Sequence, residues 1–138
     1  MRPLLLCLAL LASPALAAGT EEAPGASTAA AQGLIYAGDF AGALALLAPI
    51  VSAEARNADA LNLAAFSYRK LGDLAQAGTL YDAALAADPE HLGALEYQGE
   101  LFVMQGDRAR AEANLARLTQ LCGDCEEREE LAGVLAGS

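Results

Sequence analysis

The chain has 138 residues, 8 Lys+Arg against 18 Asp+Glu for a formal net charge of −10, 55% apolar residues, 5% aromatic residues and no Trp. So acidic a chain repels phosphate backbones and anionic lipid surfaces, so neither nucleic acid nor a peripheral membrane is expected as a partner. Alanine, the commonest residue, is the strongest helix former because it loses no side-chain entropy, and no period-two alternation persists, so an all-α chain is expected.

Met1-Arg2 opens on a positive charge, Leu4 to Ala12 is apolar, Pro14 breaks the run, and Ala15-Leu16-Ala17 is a small-x-small pattern. This is the form of a secretory signal peptide over residues 1–17, with cleavage expected after Ala17. The run is shorter than the roughly 20 apolar residues a membrane anchor needs, so no stable insertion is expected after cleavage. Cys7 lies inside the run, not directly after the small residues, which argues against lipidation. Export, with the periplasm as destination, is the expectation. Residues 18–26, with Pro24 and Gly25, read as a short lead-in to a helical domain over 27–138.

Within that domain the periodicity predicts seven helices. Helix 1A runs from about Ser27 to Ala37, with Ser27 as N-cap and Gly33 weakening its middle. Helix 1B begins near Phe40, and Pro49 is expected to kink or shorten it. Helix 2A spans Asp59 to Leu71, and helix 2B spans Leu74 to Ala87, where Asp88-Pro89 ends it. Helices 3A and 3B cover Glu90 to Gln105 and Arg108 to Leu121. A capping helix follows over about 126–136, with Leu131, Val134 and Leu135 on its apolar side.

The punctuation repeats. Gly38-Asp39, Gly72-Asp73 and Gly106-Asp107 are spaced by 34 residues, as are Ala43, Ala77 and Ala111. A fixed period of that length means stacked copies of one supersecondary unit. Each Gly can close a helix in the left-handed conformation, and each Asp can cap the next. Ala65, Ala77, Gly99 and Ala111 are expected where helices A and B of a hairpin cross, because larger side chains would force them apart. Leu61, Tyr68, Leu74, Tyr81, Leu95, Phe102, Leu115 and Leu118 are expected to fill the space between hairpins. Leu61, Ala65, Tyr68, Gly72, Ala77, Tyr81, Ala84 and Pro89 together resemble the tetratricopeptide repeat. The resemblance implies an α-solenoid of three helix-turn-helix repeats (about 24–57, 58–91 and 92–125) plus the capping helix.

The same resemblance implies a non-catalytic module that holds a protein or peptide segment in a groove built from the A helices, as an adaptor or assembly factor. Its groove positions fall on Gln32, Tyr36, Asn62, Phe66, Arg69, Lys70, Glu96, Glu100 and Met104. These are expected to be polar positions on an exposed face, with Phe66 presenting an apolar contact to the partner. Relatives that clamp a terminal carboxylate need Lys, Asn and Arg where this chain has Thr28, Gln32, Leu63, Gly93 and Tyr97, so that specificity is not expected.

Cys122 and Cys125 are the cysteines left once the leader is removed. In an oxidising compartment a nearby pair reads as a disulfide fixing the cap to helix 3B. The alternative is a thiol-redox or metal-handling pair. Zinc would need four ligands, and His91, read as a surface residue, is distant in sequence. Haem attachment would need His where Glu126 stands. No nucleophile triad, carboxylate pair or phosphate loop is present, so neither an enzyme nor a cofactor or metal site is expected.

Overall fold

The structure is a computed structural model that describes residues 27–138; the leader, its cleavage point and the lead-in lie outside them. Seven helices follow one another: α1 Thr28–Tyr36, α2 Phe40–Ala53, α3 Ala58–Leu71, α4 Leu74–Ala87, α5 Leu92–Met104, α6 Arg108–Cys122 and α7 Glu126–Ala136. No strand occurs among the described residues. Successive helices pair as hairpins α1/α2, α3/α4 and α5/α6, and α7 packs on α5 and α6.

The Gly-Asp pairs do what their chemistry allows. Gly38, Gly72 and Gly106 take φ of +78°, +89° and +75°, a region nearly closed to side chains. Asp39, Asp73 and Asp107 then accept the backbone N–H of Gly42, Gln76 and Arg110 at 2.8, 3.0 and 3.1 Å. Each such cap is worth about 1 kcal/mol. Ser27 caps α1 in the same way through Ala30 N–H.

Two expectations about helices need correction. Pro49 does not shorten α2, which runs through it for 14 residues, as α4 does. Ala45 and Pro49 are both exposed, so the carbonyl deprived of its donor is open to water. Helix α5 begins at Leu92, not Glu90. Asp88 first accepts the Glu90 N–H in a turn, and the His91 imidazole then caps Ala94 N–H at 3.1 Å.

The core is distributed along the stack, as a repeat array requires. Ala65, Ala77 and Ala111 are fully buried where the hairpins close, and Tyr81, Leu95, Leu118 and Leu131 fill the spaces between them. Leu61 and Phe102 are buried, while Tyr68, Leu74 and Leu115 are partly so. Gly99 is also buried, but its neighbour is not the paired helix α6: a Cβ there would come within 2.7 Å of Leu131 Cδ1 on α7. A polar chain crosses three helices, with Asn114 donating to Leu95 O and Gln98 Oε1 at 3.0 Å and Gln98 donating to Asp82 at 2.7 Å. Leu131 and Leu135 seal the last hairpin beneath α7, with Val134 half-buried.

Helix α7 is more than a lid. It starts at Glu126, 34 residues after α5 starts at Leu92, which is itself 34 residues after α3 starts at Ala58. It therefore occupies the A-helix place of a fourth unit, and α1, α3, α5 and α7 line one face of the stack.

Candidate functional site

Equivalent positions recur across this face at the repeat interval. One row is Thr28, Asn62, Glu96 and Glu130; a second is Gln32, Phe66 and Glu100; and Leu63 is matched by Tyr97. The rows meet in two adjoining recesses. The first, about 270 Å³, is lined by Gln32, Ile35, Tyr36, Phe40, Leu63, Phe66, Lys70 and Tyr97. The second, about 360 Å³, contains Thr28, Asp59, Asn62, His91, Glu96 and Glu127, and shares Gln32, Leu63 and Tyr97 with the first.

An aromatic wall stands in the first recess. Phe66 packs against Phe40 with centroids 6.2 Å apart and against Tyr97 at 4.9 Å, both tilted by nearly 60°. Arg69 lies over both Phe66 and Tyr97, and Lys70 over Phe66, at 5.2 to 5.6 Å, within cation–π range. Tyr36 stands free at 81% exposure, tethered only by Gln32 Nε2 donating to its hydroxyl at 3.1 Å. Arg69 pairs with Glu100 at 2.5 Å, and Met104, over half exposed, lies beside Arg69.

The nine expected groove residues thus lie together on one face, but not all are exposed. Asn62, Arg69 and Glu96 are buried, at 6, 8 and 4% exposure. Neighbouring A helices flank them, and α7 adds a wall that a short repeat array without it would lack. Phe66 is half-buried between two rings, not projecting alone. Phe40, Tyr97, Asp59 and Glu127 also line the recesses and were not among those nine. Tyr97 was visible as the repeat partner of Leu63, whereas Phe40 comes from a B helix. His91 is half-buried, not a free surface residue: its Nε2 meets Asp59 Oδ1 at 3.0 Å while Nδ1 caps α5.

The electrostatics of the second recess are acidic. Burial, reinforced by a hydrogen bond to Glu130 and by the charges of Glu100, Glu130 and Glu127, pushes the Glu96 carboxyl up to about 8. Burial, and next the Glu96 charge, push the Tyr97 hydroxyl up to about 12. Glu96, Glu100 and Glu130 bring carboxylate oxygens within 4.8 Å of one another. Arg69 already neutralises Glu100, and three carboxylates fall short of the roughly six to eight oxygens a calcium ion takes. The positions a carboxylate clamp would fill with cations (Thr28, Gln32, Leu63, Gly93 and Tyr97) all lie in these recesses, and none is basic.

Cys122 ends α6 and Cys125 is the N-cap residue of α7; the two are brought together with Cα atoms 5.6 Å apart. No helix among the described residues is long and apolar enough to cross a membrane.

Stacked two-helix units with a common A-helix face define a helical-repeat protein. The tetratricopeptide-repeat family model matches residues 34–91, which take in the end of α1, all of α2 and the whole second hairpin. No curated protein matches it in sequence. Among solved structures, a tetratricopeptide repeat protein from Parabacteroides merdae is similar with TM-score 0.68 and 22% identity over 78% of this chain. That match spans 42% of the larger protein. The first such domain of Spaghetti (RPAP3), bound to the HSP90 peptide SRMEEVD, gives 0.71 and 17%, covering 80% of this chain and 88% of that one. The Yersinia enterocolitica type III secretion chaperone SycD, in complex with a peptide of the translocator YopD, gives 0.68 and 15%, covering 80% and 84%.

Proposed function

We propose that this chain is a non-catalytic interaction module that holds a peptide or protein segment against its A-helix face, as an adaptor or assembly factor of the exported compartment. The observation that carries this reading is the Phe40–Phe66–Tyr97 wall with the exposed Tyr36 beside it. Rigid aromatic surface set in a recess is the usual anchor of an interface, because it buries large area at little entropic cost. Two structurally similar proteins hold peptides, which supports the same use of this face. The leader-like N-terminus supports export.

Random nine-residue peptides selected on the folded protein test the reading. Replacing both Tyr36 and Phe66 by Ala should weaken the selected peptides by about 30-fold or more, the loss of one strong anchor, while the far-ultraviolet spectrum stays helical. Unchanged binding would show that this face is not the site.

Cys122 and Cys125 are assigned a stapling role, joining the end of α6 to the start of α7. Closing so short a loop adds about 2 kcal/mol in the chain-entropy model. The native protein should resist thiol alkylation until strong reductant is added, and reduction should lower its melting temperature. A pair opened by mild reductant would favour the thiol-exchange alternative.

A further inference from the structure

The second recess contains a pair of acceptors with no donor. Asn62 Oδ1 and Glu96 Oε1 are buried and accept no hydrogen bond from any protein group. Buried acceptors are nearly always satisfied, and leaving one unpaired costs about 1–3 kcal/mol. The two residues are repeat equivalents, from α3 and α5, and both line the same cleft. Asp59 and Glu127 add carboxylates to its wall, and no Lys or Arg lines it. His91 supplies no spare donor when neutral, because Nε2 is engaged by Asp59 and Nδ1 accepts from Ala94.

Resting on the reading of this face as a peptide groove, we infer that the cleft between α1, α3, α5 and the start of α7 takes one basic side chain of the bound partner. A lysine ammonium or arginine guanidinium brings only donors, which is what the two unpaired acceptors need. Its positive charge meets Asp59 and Glu127 at the rim and Glu96 within. The aromatic wall is contiguous through Tyr97, so the aliphatic stem of the side chain can lie on the ring while its head enters the cleft. This polarity is opposite to what the acidic peptide SRMEEVD would need. A bare divalent ion is a poorer occupant, because Arg69 already holds Glu100.

Cation entry is coupled to a proton. Glu96 faces Glu100 and Tyr97 on its own helix and Glu127 and Glu130 from α7, with Arg69 and Asp59 contributed by α3. With its carboxyl raised to about 8, Glu96 is protonated at neutral pH and must release that proton to meet a cation at full charge. Affinity for a basic side chain therefore rises with pH until Glu96 is ionised.

The test uses the peptides selected on the folded protein. One position should be enriched in Lys or Arg, and exchanging that residue for norleucine, which keeps the stem and removes the charge, should weaken binding at least tenfold. The loss should shrink to under threefold in the Glu96→Gln variant, whose fold is checked by its melting curve. Binding of the lysine peptide should fall about tenfold from pH 7 to pH 6, as one displaced proton requires, while the norleucine peptide stays level. Peptides that need Phe66 but tolerate norleucine equally well would overturn the cation cleft and leave the groove standing. Peptides indifferent to both Phe66 and norleucine would overturn the groove and the cleft together. Because the decisive change is made in the peptide, a poorly folding variant does not blunt the result.

Discussion

Glu96 shows how much one side chain's surroundings decide. In the unfolded chain its carboxyl titrates near 4.5, and in the folded protein near 8. Between those values the folded protein holds a proton that the unfolded chain has released. Its stabilising effect is therefore complete below about pH 4.5, declines as pH rises, and is gone above about pH 8. Thermal melts between pH 5 and 9 should show the melting temperature falling by about 4 °C or more over that span, the shift expected for roughly 1 kcal/mol in a domain this size. Glu96→Gln should lose at least half of the decline; an unaltered slope would mean that the carboxyl is not held protonated. The sequence places Glu96 on the right helix face, at the repeat interval from Asn62. It does not show that Glu130 comes to meet it, because that depends on where α7 lies. Asn62 and Arg69, polar by composition, read as exposed positions and are in fact buried, because α5 packs beside α3 and covers them.

At the scale of the element, legibility follows how local the cause is. Gly72-Asp73 stops one helix and starts another with atoms no more than five residues away, so α3, α4 and the turn between them can be placed from sequence to within a residue. The start of α5 cannot, because His91 caps it with a ring steadied by Asp59 from another helix. Pro49 misleads in the other direction: its cost falls on a solvent-facing carbonyl, and the helix continues. Helix α1 is the weakest element, with nine residues, one buried side chain and Gly33 in its middle. A Cβ at Gly33 would meet nothing within 4 Å, whereas one at Gly99 would strike Leu131. The two glycines should therefore respond oppositely to alanine. Gly33→Ala should stabilise by up to about 1 kcal/mol through helix propensity, and Gly99→Ala should destabilise by about 1–3 kcal/mol through overpacking. Urea titrations would measure both, and a like sign for the pair would contradict the packing described for α5 and α7.

Over the whole molecule, stability is graded along the stack. The cluster between the first two hairpins rests on small residues, with Leu47 the one large side chain fully buried there. The cluster under α7 gathers Leu95, Phe102, Leu118, Leu131 and Leu135. Repeat arrays open from their weaker end, since each unit leans only on its neighbours. Amide hydrogens of α1 should exchange fastest, and those of α5 and α6 slowest. Equal protection in α1 and α5 would mean that the chain opens as one unit.

The regular spacing of helix starts carries a further consequence. Residues 58–91 begin and end at equivalent points of the stack, so each side of that stretch meets the same kind of neighbour. A second copy inserted directly after it should dock in the same helix order, with one new interface between the two copies. The trough would then lengthen by one step, with Phe66 repeated and both ends of the array unchanged.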